Sequence, residues 1–134
     1  MVTKTALYNY VTEKQAARGH DPEDKPIFSI LLFENPNKEF YVEKNGEHIP
    51  SGFPDLGDSY EVGFYYELES AISALESNAC DIHEGCYNAA FILCKFAGLY
   101  PGCSFHERMY YVWDNEGYGY VQVEEPKVFK HMAF

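Results

Sequence analysis

VGFYYELESAISALESNACDIHEGCYNAAFILCKF, residues 62–96, reads as strand, helix, strand, and the rest of the chain is organised around it. Leu68, Ala71, Ile72 and Leu75 stand at i, i+3, i+4 and i+7, so they share one stripe of a helix expected over residues 67–77, with Glu69, Ser73 and Glu76 toward water. A helix with one apolar stripe needs a sheet beneath it. Phe91-Ile92-Leu93, within a strand expected over residues 87–96, is apolar on both faces and therefore belongs in the middle of that sheet.

Toward the N-terminus, residues 60–66 read as the strand that enters the helix. Residues 45–59, rich in Gly, Pro and Asp, read as a long loop opened by the turn signal Asn45-Gly46. Residues 27–34 supply apolar groups to both faces of a strand. Asn35-Pro36-Asn37-Lys38 is turn chemistry, and residues 39–44 alternate Phe40 and Val42 against Glu39, Tyr41 and Glu43, which predicts a hairpin between the two segments. Residues 5–18 form a weakly amphipathic helix closed by Gly19, with a stripe so narrow that it is expected at the domain's edge.

Toward the C-terminus, residues 109–113 and 118–123 flank Asp114-Asn115-Glu116-Gly117 as a hairpin. Pro126 then suits the first turn of a short helix carrying Val128, Phe129 and Met132. Strands outnumber helices and the hairpins are local. The expected architecture is a single α+β domain over residues 1–134, a mostly antiparallel sheet of five to six strands with helices packed on one face, residues 1–26 being a peripheral helix and loop.

A chain of 134 residues buries roughly two thirds of its unfolded surface, enough for one core. No window approaches a membrane span and no apolar leader run opens the sequence, so with four cysteines the thiols are expected to be reduced and the location cytoplasmic. The net charge of −11 is unevenly placed. Between Lys44 and Lys95 no Lys or Arg occurs, against nine acids: Glu47, Asp55, Asp58, Glu61, Glu67, Glu69, Glu76, Asp81 and Glu84. Such a field disfavours direct contact with a phosphate backbone and suits a basic protein partner or a cation.

Cys80-x-x-His83-x-x-Cys86 and Cys103-x-x-His106 flank the central strand, and Cys80, His83, Cys103 and His106 together have the composition of a Cys2His2 zinc site. Against that stands distance. Residues 86–96, at about 3.3 Å each, carry the two clusters roughly 30 Å apart unless the loop after them doubles back. The alternative is that the cysteines are small buried apolar groups and the histidines ordinary loop residues. A thiol nucleophile with His83 or His106 as base needs an orienting third group, for which Glu84 or Asp81 is placed, and an oxyanion hole, and adjacency in sequence is not that geometry. Asp81-Ile82-His83-Glu84 lacks the spacing of a calcium loop. No nucleophile-elbow, dinucleotide, P-loop or zinc-protease motif occurs, which leans away from an enzyme.

Two surfaces are left for binding. Glu67, Glu69, Glu76, Asp81 and Glu84 make the central segment acidic, and Tyr110, Tyr111, Trp113, Tyr118 and Tyr120 alternate across the terminal hairpin, so one set of rings faces the core and the other a partner, a helix or water; Tyr111, Trp113 and Tyr120 are the binding candidates among them. ELESAISALESNACDIHEGCYNA, GLYP, YYVWDNEGYGY and EEPKVFKH resemble a group of small acidic proteins of unknown function among bacterial chromosomal and mobile-element open reading frames. The likeness spans about residues 60–134; its motifs are structural, and it implies a non-enzymatic accessory protein without transferring an active site. The expected function is a small acidic binding module for a basic protein; the competing one is a zinc-stapled domain or thiol enzyme.

Overall fold

The computed structural model describes residues 1–17, 25–34, 41–45, 47–50, 59–95, 108–126 and 129. In chain order its elements are α1 (Lys4–Ala17), β1 (Ile27–Phe33), β2 (Tyr41–Lys44), β3 (Glu47–Pro50), β4 (Ser59–Tyr65), α2 (Leu68–Glu76), a 3₁₀ segment (Ala79–Gly85), β5 (Ala89–Lys95), β6 (Arg108–Asp114) and β7 (Gly119–Gln122). Five strands form one antiparallel sheet in the order β4-β1-β5-β6-β7, so the fold is α+β as expected.

β5 lies in the centre, where a strand apolar on both faces can bury all of them: every residue from Ala89 to Cys94 is buried. On one face Phe28, Ile30, Leu32, Ala90, Ile92, Met109 and Tyr111 meet Leu7 and Val11 of α1 and Leu68, Ala71, Ile72 and Leu75 of α2. The apolar stripe of residues 68–75 is thus the one buried. The other face holds an aromatic cluster: Phe33 stacks on Phe91 at 5.1 Å, and Phe129 meets the edges of both. Phe129 N donates to Pro126 O at 3.0 Å, which places one turn where a C-terminal helix was expected; Val128 and Met132 lie outside the described residues.

α1 is less peripheral than its narrow stripe suggests. Thr3 caps it, its hydroxyl accepting from Ala6 N at 3.1 Å, and Leu7 is fully buried against the sheet. Among the described residues no helix is long and apolar enough to cross a membrane.

The expected hairpin between residues 27–34 and 39–44 does not form. β1 is flanked by β4 and β5, both antiparallel, and has no free edge; β2 pairs instead with β3, Tyr41 opposite Pro50 and Lys44 opposite Glu47. The reason is burial: a strand apolar on both faces gains most from two neighbours inside the sheet, whereas the half-polar segment over residues 41–44 does not. Asn45, with φ of 55°, supplies the left-handed position that a two-residue hairpin turn requires. Part of the expected long loop is therefore a strand, and residues 51–58 lie outside the described residues.

Candidate functional site

α2 fixes the geometry of the acidic segment. Its buried stripe against the sheet turns Glu69 and Glu76 outward, two turns apart, while Glu67 stands at its N-terminal boundary and the 3₁₀ segment carries Asp81 and Glu84 beyond its C-terminal end. Glu69 is held by Lys4 of α1 at 3.1 Å; both groups are half-exposed, and such pairs contribute little to stability. Glu61 on β4 is bonded to Lys95 on β5 at 2.5 Å, reaching across β1, and this lysine holds its carboxyl below the usual carboxylate range. Glu67, Glu76, Asp81 and Glu84 are exposed and have no ion-pair partner among the described residues. Lys4, Lys95 and Arg108 are each already engaged by a carboxylate. Among the described residues the negative field over this region is thus only partly answered.

The aromatic candidates fall mostly inside. Trp113 lies opposite Tyr120, and Tyr111 opposite Gln122, so all of these project to the sheet face that carries α2. Tyr111 is 1% exposed and Tyr120 3%. Burial, then the charges of Glu76 and Glu69, pushes the Tyr111 phenol up, and burial chiefly pushes that of Tyr120 up to about 12. Tyr120 Oη donates to Tyr87 O at 2.8 Å. Tyr111 and Tyr120 are therefore core residues, the ring set that faces the helix layer, and not rings offered to a partner. Trp113 is half-buried, its Nε1 donating to Asn115 Oδ1 at 2.9 Å, and retains some surface.

Of Cys80, His83, Cys103 and His106, only the His83 side chain is among those described; Cys103 and His106 lie outside the described residues, as does the Cys80 side chain. His83 Nε2 donates to Leu75 O at 2.9 Å, because a carbonyl can only accept. That carbonyl is one of those left without a partner at a helix C-terminus, so His83 closes the end of α2. Its ring meets Trp113 and Tyr120 edge-on at 5.0 and 5.4 Å, and its backbone N donates to Asn78 Oδ1 at 2.8 Å. Only Nδ1 of the imidazole is left for a ligand. Cys94 is buried in the central strand and Cys86 is exposed, its thiol 3.4 Å from Glu84 O. Among the described residues no three His, Cys, Asp or Glu side chains converge as a metal site needs.

A feature that residue patterning missed lies at the edge of the sheet. Among the described residues β4 pairs with β1 alone, and its register shifts so that Val62 and Gly63 stand opposite Ile30, a bulge for which Gly63 adopts φ of 108°. Tyr60, Phe64 and Tyr66 are exposed, Tyr60 by 58%. Between β4 and the 3₁₀ segment opens a cleft of about 410 Å³, with Leu32 and Ile82 as apolar lining, Tyr60, Tyr65 and Tyr87 as aromatic lining, and Asp81 beside them. A second, shallower hollow of about 420 Å³ runs along α2 past Ser70, Ser73 and Ser77 toward Glu69, and the two share Tyr65 and Ala79. The signals in the sequence were Gly63 inside a strand and Gly85 two residues before Tyr87. A Cβ on Gly85 would stand 3.1 Å from the Tyr87 ring, so the glycine lets that ring lie against the backbone.

Comparison with known proteins returns no match: no family model fits the chain, and neither a curated protein nor a solved structure resembles it significantly.

Proposed function

We propose that the protein is a small, non-enzymatic acidic binding module that engages a basic protein through the face formed by α2 and the 3₁₀ segment. The observation that carries this reading is the set of exposed carboxylates, Glu67, Glu76, Asp81 and Glu84, for which no cation stands within pairing distance among the described residues. Carboxylates left unanswered along α2 and the 3₁₀ segment, which are fixed on the sheet, present a preorganised negative surface, and a partner bearing Lys or Arg gains both encounter rate and specificity from it. A phosphate backbone is repelled by the same field.

The test is binding of an arginine-rich peptide, followed by titration calorimetry at low and raised ionic strength. Affinity is expected to fall roughly tenfold or more between about 0.02 and 0.3 M salt as the charges are screened. Replacing the four carboxylates together, Glu67→Gln, Glu76→Gln, Asp81→Asn and Glu84→Gln, is expected to remove most of that dependence. Absent binding at low salt, or affinity indifferent to salt, overturns the proposal.

A further inference from the structure

We infer that the cleft between β4 and the 3₁₀ segment is a recognition pocket for one arginine side chain, presented by an extended segment of the basic partner; this rests on the acidic-module reading above. The lining has the chemistry that a guanidinium needs. Tyr60, Tyr65 and Tyr87 supply aromatic surface on which the planar cation stacks, Leu32 and Ile82 accept its aliphatic stem, and Asp81 supplies the carboxylate. Glu61 also borders the cleft, but its charge is already met by Lys95 at 2.5 Å, so Asp81 is the acid without a partner among the described residues. The cleft's volume of about 410 Å³ is ample for a guanidinium and its aliphatic stem.

An extended occupant suits the surroundings: the cleft and the hollow along α2 share Tyr65 and Ala79 as lining, and Glu69 lines the hollow, so residues flanking the arginine would lie beside a second acid. Gly85 contributes by letting the Tyr87 ring close to the backbone, and Tyr87 O is itself fixed by the Tyr120 hydroxyl at 2.8 Å, so one aromatic side of the pocket is held from the hairpin behind it. Pre-placed aromatic groups select a flat delocalised cation over a compact, strongly hydrated ammonium.

The experiment compares a hexa-arginine peptide with its hexa-lysine counterpart on the full chain and on three variants by calorimetry, with circular dichroism to show that each variant is folded. Tyr60→Ala and Asp81→Asn are each expected to weaken hexa-arginine binding about tenfold, the size of one desolvated cation–aromatic or charge-assisted contact. Glu116→Gln removes an exposed charge on the turn between β6 and β7, outside the cleft and outside the four carboxylates of the binding face, and is expected to cost no more than about twofold. Hexa-lysine is expected to bind more weakly than hexa-arginine and to respond less to Tyr60→Ala. Hexa-arginine binding that is unchanged by Tyr60→Ala and Asp81→Asn, or equal binding of the two peptides, overturns the pocket while leaving the acidic module standing. No binding of either peptide at low salt overturns the module itself.

Discussion

At the scale of single residues, His83 and Tyr120 show how polar groups are spent on structure. His83 was a candidate metal ligand by spacing, yet its Nε2 closes the last turn of α2 on Leu75 O and its ring is held edge-on by Trp113 and Tyr120. His83→Ala leaves that carbonyl without its donor and removes ring contacts, so a loss of about 2 kcal/mol is expected, read from urea unfolding. The Tyr120 phenol, pushed up to about 12 by burial, makes stability depend on pH at the alkaline end. Its unfolded counterpart ionises near 10, so as pH rises the unfolded chain loses its proton first and ionisation favours unfolding. The contribution is whole below about pH 10 and is lost as pH rises to about 12, so the urea midpoint is expected to fall across that window. Tyr120→Phe is expected to make that fall shallower, the remainder belonging to the Tyr111 phenol, which burial also pushes up, and an unchanged slope contradicts the assignment. Glu61 behaves in the opposite sense: Lys95 lowers its carboxyl, so what it adds is present above the ordinary carboxyl range and fades as the solution turns acid.

At the scale of elements, what was legible in the residues was what burial dictates locally. The stripe Leu68, Ala71, Ile72 and Leu75 and the two-sided apolar run Phe91-Ile92-Leu93 each name their own environment, and α2 and β5 sit where those patterns require. Pairing partners were not legible in the same way. β1 takes its neighbours from β4 and β5, far along the chain, so the turn residues after it suggested a local hairpin that competes with and loses to the central sheet. Parity likewise separated Tyr111, Trp113 and Tyr120 from their neighbours, but which side α2 covers is decided by the whole topology. The cleft was illegible for a related reason: it forms between segments some twenty residues apart, and only Gly63 and Gly85 marked it. Gly63 tests the bulge directly. Open space surrounds its missing Cβ, yet φ of 108° strains any L side chain, so Gly63→Ala is expected to cost about 1–3 kcal/mol without a steric clash. A neutral result would mean that β4 relaxes its register, which amide hydrogen exchange along β1 and β4 would reveal.

At the scale of the whole molecule, two helices pack on one face of the sheet, and on the other its own Phe33, Phe91 and Tyr110 cluster with Phe129. Arg108, 3% exposed, joins the second layer to the sheet: it is bonded to Glu125, donates to Phe129 O at 2.6 Å and lies 4.7 Å over the Phe91 ring. Removing a buried, partnered cation strands its acceptors, so Arg108→Ala is expected to cost about 3 kcal/mol in urea unfolding and to speed hydrogen exchange at Phe129. Lys4, Lys95 and Arg108 are engaged by such contacts, and with a net charge of −11 the chain as a whole repels itself. A compact chain with unanswered carboxylates is relieved by screening, whereas one held by surface ion pairs is weakened by it. Raising salt from about 0.01 to 0.2 M is therefore expected to raise Tm by a few degrees, and the Glu67→Gln, Glu76→Gln, Asp81→Asn, Glu84→Gln combination is expected to abolish most of that rise. A Tm that falls with salt would assign the balance to the Lys4–Glu69 and Lys95–Glu61 pairs, and the acidic face would then be electrostatically satisfied before any partner arrives.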